Sequence, residues 1–324
     1  MARDFPGPFD RLSIPGYDEV YRVDCAGAVA FVSLHAVIGG RAFGGVRIKA
    51  YGSENAAISD SLALARAMSR KVAMAGITGG GGKAVLVEPR GDRAAAVKRL
   101  GEFIETLGGR YFCGADYGFT AEDDAALREA TQYVAPSTIS TNTARTVEAA
   151  MRAVCEPRTV VVQGLGAVGK PLAEGLRGAG VRVIVSDVLP VAGFERVAPE
   201  TAFDTECDVF APCAVGGILD AAAIARLRCR VVCGAANNPL ASDADAERLR
   251  LRGIDYVPDF LANVGATIEG ASKAVGEEFL IDARLGTVGP LVREVMDRAH
   301  REGRSPHFVA VDLADERIER MRKG

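Results

Sequence analysis

The sequence predicts an α/β protein in two parts, a mixed α/β first half followed by a doubly wound parallel sheet. Three observations predict it. Runs with strand-like alternation and runs with helical spacing interleave along the whole chain. Near residue 145 the pattern changes to strict strand–helix alternation, the signature of a parallel sheet. In that second half, "VVVQGLGAVGKPLAEGL" reads as strand, tight glycine turn and helix.

Taken in order, "VYRVDCAGAVAFVSLHAVIG" alternates and carries β-branched residues, so residues 18–38 read as strands turning at Gly27. "RAFGGVRIKAYG" reads as loop or strand edge, with Gly44 and Gly45 exposing backbone. "SENAAISDSLALARAMSRKVAMA" is a helix with Ser53 as its N-cap, and Met68 and Lys71 share one face. "KAVLVEP" is a buried strand and "RAAAVKRLGEFIETLG" a helix. "RYFCGADYG" is strand and loop, and "AEDDAALREATQYVAP" is helix again. After "TARTVEAAMRAVC", a helix, comes the strand–turn–helix–strand run ending in "VRVIVSDV". "CDVFAPCA" and "CRVVCGAA" are short apolar strands, and residues 290–324 are two amphipathic helices around "GRSPHFVAV".

The totals narrow the function. A chain of 324 residues is long for one core, which favours two domains. A net charge of -3, with no basic stripe, gives no reason to expect nucleic acid or an anionic membrane as partner. No run of about 18 apolar residues is present, and "MARDFPGPFD" lacks the apolar core of a signal peptide, so the default expectation is cytoplasmic. Seven cysteines without a C-x-x-C pair read as buried reduced thiols, and three scattered histidines suggest no metal.

Gly164, Gly166 and Gly169 form G-x-G-x-x-G, with Ala167 and Val168 inside it. The motif follows an apolar strand, opens a helix and is followed about 20 residues on by Asp187. That context predicts a dinucleotide site with the pyrophosphate at the helix N-terminus. An acid at Asp187 accepts from a ribose 2′-OH and repels a 2′-phosphate, which favours NAD over NADP; alternatively it caps a turn.

"AGITGGGGKAVLVE" is not a phosphate loop, because the required glycine is Ile77 and Ala84 follows Lys83. The glycines therefore cradle something else or let something pack close. Only seven of 39 basic residues are lysines, so Lys71 and Lys83 in glycine-rich or apolar stretches stand out. A desolvated ammonium can lose its proton and a guanidinium cannot, so Lys83 is a candidate base. Lys71 could hold a carboxylate, or snorkel outward from its helix. Asp116 could exchange protons with a reacting nitrogen, or form an Asx turn before Gly118.

The chain resembles the glutamate, leucine, phenylalanine and valine dehydrogenases, nearest the branched-chain and aromatic members. "FGGVRI", "ARAMSRKVAMAGITGGGGKAVL", "GRYFCGADYG", "VVVQGLGAVG", "DVFAPCAVGG", "CGAANNPLA" and "PDFLANVGA" match in order, from about residue 20 to about 300. The resemblance implies a substrate-binding and dimerisation domain over 1–142 and a Rossmann-type NAD domain over 143–286. It implies C-terminal helices over 287–324 returning toward the first domain, and a homodimer or higher homo-oligomer. It implies oxidative deamination of an L-amino acid to a 2-oxo acid and ammonia, and the reverse, in a cleft between the domains that closes on binding. Lys71 then binds the substrate carboxylate, with Gly44, Gly45 and Met68 lining the same site. Lys83 activates the water that attacks the imine, and Asp116 shuttles protons with the amino group. Asn263 matches the substrate–nicotinamide junction, and Thr146, Ala214 and Asn238 match positions around the nicotinamide and its ribose.

Several positions depart from that pattern. Ala115 stands where the family has Glu, "STNTAR" replaces a run containing proline, and Thr267 and Glu269 are more polar than usual. Phe43 replaces a smaller aliphatic and, with Leu285 and Val288, is a candidate side-chain contact. These changes fall on the pocket wall, so an apolar or unusual amino acid is expected as substrate. Two rivals stay open: a reductase of a preformed imine or 2-oxo acid, and a non-catalytic NAD-binding regulator.

Overall fold

The computed structural model describes residues 7–136 and 141–323. Ser140, the first residue of the departing "STNTAR" run, lies outside the described residues. The chain divides into two compact units. Unit 1 holds the described residues up to 136 with Gly270–Glu278 and 314–323; unit 2 holds 141–269 and Phe279–Leu313.

Unit 1 is built on a mixed sheet. Its elements are β1 (Phe9–Leu12), β2 (Glu19–Cys25), β3 (Ala28–Leu34), β4 (Ala42–Phe43), β5 (Val46–Lys49), α1 (Glu54–Met74), β6 (Gly80–Val87), α2 (Arg93–Thr106), β7 (Tyr111–Phe112) and α3 (Ala121–Ala130). The strand order is β1-β2-β3-β6-β4-β7, and β5 also pairs with β6. The β2–β3 hairpin turns where Ala26 and Gly27 both take positive φ. β1, which the sequence reading did not assign, is an antiparallel edge strand on β2. The core of this unit packs Val32, Leu34, Ile48 and Leu86 of the sheet against Leu100, Phe103 and Ile104 of α2. Ser53 caps α1 by accepting from the Ala56 N–H.

The glycine run serves packing. β6 begins at Gly80, three residues earlier than expected, because the glycines are strand. A Cβ on Gly80 would lie 1.8 Å from the Ala36 carbonyl oxygen, and one on Gly81 would lie 2.0 Å from the Ser69 nitrogen of α1. Gly82 meets Leu34 and the Tyr111 ring in the same way. Helix and strand thus touch backbone to backbone. Gly81→Ala is expected to destabilise the fold by about 3 kcal/mol, since no flexible side chain can yield there. Urea unfolding of the variant checks this, and an unchanged midpoint would contradict the contact.

Unit 2 begins with α4 (Thr141–Val154), β8 (Thr159–Gln163), α5 (Gly169–Gly178), β9 (Arg182–Ser186) and β10 (Glu195–Arg196). It continues with β11 (Val209–Pro212), α6 (Ala221–Arg226), β12 (Val231–Val232), α7 (Asp243–Leu251), β13 (Asp255–Tyr256) and α8 (Asp259–Ala262). Then follow α9 (Gly265–Ala274), whose residues from Gly270 on count with unit 1, α10 (Ile281–Gly286), α11 (Val288–Glu302) and α12 (Pro306–Lys323). All six strands are parallel, in the order β10-β9-β8-β11-β12-β13. Numbered from β8, that order is 3-2-1-4-5-6, the doubly wound dinucleotide-binding topology. Its switch point lies between β8 and β11, at their carboxyl ends, where ligands bind in such sheets. Val161, Ile184, Phe210 and Val232 form the centre of its core. Residues 314–323 of α12 count with unit 1, where Arg70 pairs with Asp315 and Arg322 with Asp18. Among the described residues no helix is long and apolar enough to cross a membrane.

Candidate active site

In unit 1 the sheet carries a buried ionic cluster. Lys83 sits on β6, opposite Ser33 of β3, and only 4% of it is exposed. Its Nζ lies 2.9 Å from Asp116 Oδ2. Burial lowers the Lys83 pKa from its ordinary value, against the opposing pull of Asp116. Burial also opposes ionisation of Asp116, but Lys83 and Arg47 outweigh it and hold the carboxyl below its usual value. The result is a carboxylate that stays charged beside an amine that gives up its proton more readily than an exposed lysine.

Arg47 is the member that sequence reasoning missed. Its Nε donates to Asp116 Oδ2 at 2.8 Å and its Nη1 to Asp60 Oδ2 at 3.2 Å, and the Tyr51 hydroxyl donates to the same Asp60 oxygen. The available signal was its place in "FGGVRI", two residues beyond Gly45 on a strand that turned out to flank β6.

Gly44 and Gly45 interrupt the strand that runs beside β6 as β4 and then β5. A Cβ on Gly44 would strike the Gly82 carbonyl at 1.9 Å, so close approach of two backbones explains that glycine. A Cβ on Gly45 would stand 3.3 Å from Lys83 Nζ, so its absence leaves room beside the amine. Tyr111, fully buried, donates its hydroxyl to the Gly45 carbonyl and accepts the Ala84 N–H, which locks the two strands at this point. Met68 and Lys71 lie half-buried on the last turns of α1. Phe43 is buried, stacks on Phe112 at 5.6 Å between centroids and lies against Gly79.

In unit 2 the glycine turn follows β8 at the switch point. Gly164 has φ +96°, and a Cβ there would lie 2.6 Å from that of Ala214, which places Ala214 against the turn. A Cβ on Gly169 would strike the Gly164 carbonyl at 1.9 Å, whereas Gly166 meets nothing within 4 Å. Gly166 and Ala167 are exposed, and Val168 caps α5 without a side-chain bond, so the turn presents bare backbone at a helix N-terminus. That cradle fits a dinucleotide pyrophosphate.

Asp187 follows β9. Its Oδ2 accepts from the Leu165 N–H of the glycine turn at 2.6 Å and its Oδ1 from the Leu189 N–H. These bonds lower its pKa. Turn-capping and turn-bracing are thus both present, and each carboxylate oxygen keeps a further lone pair for a hydroxyl donor. Thr146 is buried within α4 and donates its hydroxyl to the Thr143 carbonyl one turn back. Asn238 is exposed with φ +48°, and its N–H is held by Asp259. Asn263, 4% exposed, donates Nδ2 to the Ala235 carbonyl and to Asn237, while its buried Oδ1 has no partner. An orphaned acceptor in a dry place is suited to a donor on a ligand. Glu269 accepts from Asn142 Nδ2 at 2.9 Å, so its polarity is used within unit 2. Leu285 and Val288 are buried on α10 and α11.

The fold and these groups define a dehydrogenase: a dinucleotide-binding sheet joined to a unit that buries a lysine–aspartate pair. Comparison with known proteins agrees. Residues 22–138 match the Glu/Leu/Phe/Val dehydrogenase dimerisation domain, and residues 185–300 match the Glutamate/Leucine/Phenylalanine/Valine dehydrogenase domain. A leucine dehydrogenase from Thermoactinomyces intermedius is 37% identical over 95% of this chain and 93% of its own length. A valine dehydrogenase from Streptomyces coelicolor is 34% identical over 92% of this chain and 90% of its own. The crystal structure of L-tryptophan dehydrogenase from Nostoc punctiforme superposes with a TM-score of 0.87 at 30% identity, covering 95% of this chain and 98% of that one. The chain belongs to the Glu/Leu/Phe/Val dehydrogenase family, and its activity is the oxidative deamination of an amino acid. A reductase of preformed imines and a non-catalytic regulator are not favoured by these relatives.

Proposed function

We propose that this protein is an NAD-dependent dehydrogenase of an L-amino acid with an apolar or aromatic side chain, with Lys83 as the catalytic base. The observation that carries the reading is the buried Lys83 amine, 2.9 Å from Asp116 and beside the bare Gly45. Lys71 binds the substrate carboxylate as a full cation, with Gly44, Gly45 and Met68 lining the same place. Lys83 in its neutral form takes a proton from the water that attacks the imine carbon. Asp116, kept charged by Arg47, exchanges protons with the substrate nitrogen. Asn263 offers its orphaned Oδ1 to a ligand donor, and Phe43 on Phe112 forms an apolar wall for the side chain.

Residues 164–169 hold the pyrophosphate of NAD, Asp187 takes the ribose 2′-OH, and Thr146, Ala214 and Asn238 surround the nicotinamide end. NAD, when bound, supplies the hydride acceptor. A carboxylate at Asp187 repels a 2′-phosphate, which supports NAD over NADP. The match of residues 22–138 to a dimerisation domain supports a homo-oligomer.

The test is NADH oxidation with a panel of 2-oxo acids, with and without ammonia. Ammonia-dependent turnover with apolar or aromatic 2-oxo acids is expected; turnover indifferent to ammonia would overturn the reading. Lys71→Ala is expected to raise the amino acid KM by about 10- to 100-fold, the worth of one charged hydrogen bond. NAD affinity, read by fluorescence titration, stays near normal. An equal loss of NAD affinity would remove Lys71 from the substrate site.

A further inference from the structure

We propose that Cys207 and Cys229 form a redox-modification site in unit 2, a dithiol that closes to an intramolecular disulfide by exchange with an anionic low-molecular-weight disulfide. The strand register brings them together. β11 and β12 pair in parallel with Val209 opposite Val231 and Phe210 opposite Val232. Two residues back along both chains, Cys207 stands opposite Cys229, and the ladder still holds there, because the Cys207 N–H donates to the Arg228 carbonyl at 3.1 Å. Neighbouring strands lie about 4.8 Å apart, and a disulfide spans Cα atoms about 4.4–6.8 Å apart. Residues opposite each other in a parallel pair present their side chains to the same face of the sheet, so the two thiols lie side by side, close enough to influence each other's ionisation. Both are only partly buried, unlike Cys25, Cys113 and Cys233.

The pair is also asymmetric. Their charged surroundings differ: Arg252 favours the thiolate of Cys229, whereas the neighbouring Asp208 disfavours that of Cys207. Cys229 is therefore the nucleophile and Cys207 the resolving thiol. Both line a hollow whose charged residues are Arg182, Arg228, Arg230 and Arg252 against Glu206 and Asp208. Arg182 is paired with Glu195 and Arg230 with Asp208, which leaves Arg228 and Arg252 against Glu206, a balance that favours an anionic reagent. The hollow sits at the amino ends of the parallel strands, the end of the sheet opposite the Gly164–Gly169 turn, so it is separate from the dinucleotide cradle.

In the first step the Cys229 thiolate attacks one sulfur of the small disulfide and expels one thiolate, leaving a mixed disulfide. Cys207 then loses its proton to solvent, attacks the Cys229 sulfur and expels the second thiolate. The protein is oxidised by two electrons, and the reagent is reduced to two thiols.

The test treats the reduced full chain with oxidised glutathione or, at equal concentration, with uncharged 2-hydroxyethyl disulfide. Alkylation and peptide mapping without reductant follow. A 207–229 linkage is expected, forming about tenfold faster with the anionic reagent at low salt. It should raise the melting midpoint by about 5 °C through closure of the intervening loop. Cys207→Ser should retain glutathione on Cys229, and Cys229→Ser should form no linkage. Full alkylation of both thiols after treatment, linkage to other cysteines, or equal rates with the two reagents would overturn the proposal.

Discussion

Lys83→Ala is expected to lower kcat for deamination by about 1000-fold, within the range ascribed to a positioned proton-transfer group. Binding of NAD should be unchanged, because the groups proposed to hold it belong to unit 2 while Lys83 lies on a strand of unit 1. The pH profile carries the sharper test. A base must be neutral to act, and burial moves Lys83 below its ordinary pKa of 10.5. In the parent enzyme kcat/KM for deamination should therefore rise with pH and level off before pH 10.5. In the variant the residual rate should lose that rise. A Lys83→Ala enzyme with parental turnover, shown folded by its melting curve, would end the assignment of the base.

Asp116→Asn is expected to cost about 100-fold in kcat. The substitution keeps the shape of the side chain and removes both its charge and its ability to accept a proton. In the parent, Lys83 and Arg47 keep this carboxyl ionised well into acid, despite its burial. The asparagine variant also strips Lys83 of its ion-pair partner. That change favours the neutral amine further, so the rise of the profile should shift to lower pH. A loss of activity with no such shift would mean that Asp116 does not face the amine in solution. Retention of full activity would remove it from the proton path.

Much of the architecture was legible because it rests on local rules. Ser53 announced α1, alternation announced β2 and β3, and the G-x-G-x-x-G between strand and helix announced the turn after β8. The two-residue strands β10 and β13 are too short to show a period, and edge strand β1 exists only because β2 offers it partners. For the site, the lysines stood out by rarity and by motif. Arg47 did not, since arginine is this chain's ordinary surface cation and only its neighbours make it different.

The sequence by itself determined the class of the second unit and marked Lys83, Asp116 and the glycine turn as candidates. These follow from residue type and spacing along one stretch of chain. Only the tertiary structure decided that Gly80 to Gly82 serve packing against α1 and Tyr111, and that Arg47 and Asp116 meet across 69 positions. It likewise decided that Cys207 and Cys229 share a register. The reason is physical: burial and pairing depend on which distant segments the sheet sets side by side, and a linear pattern records the preference of each segment but not its neighbour.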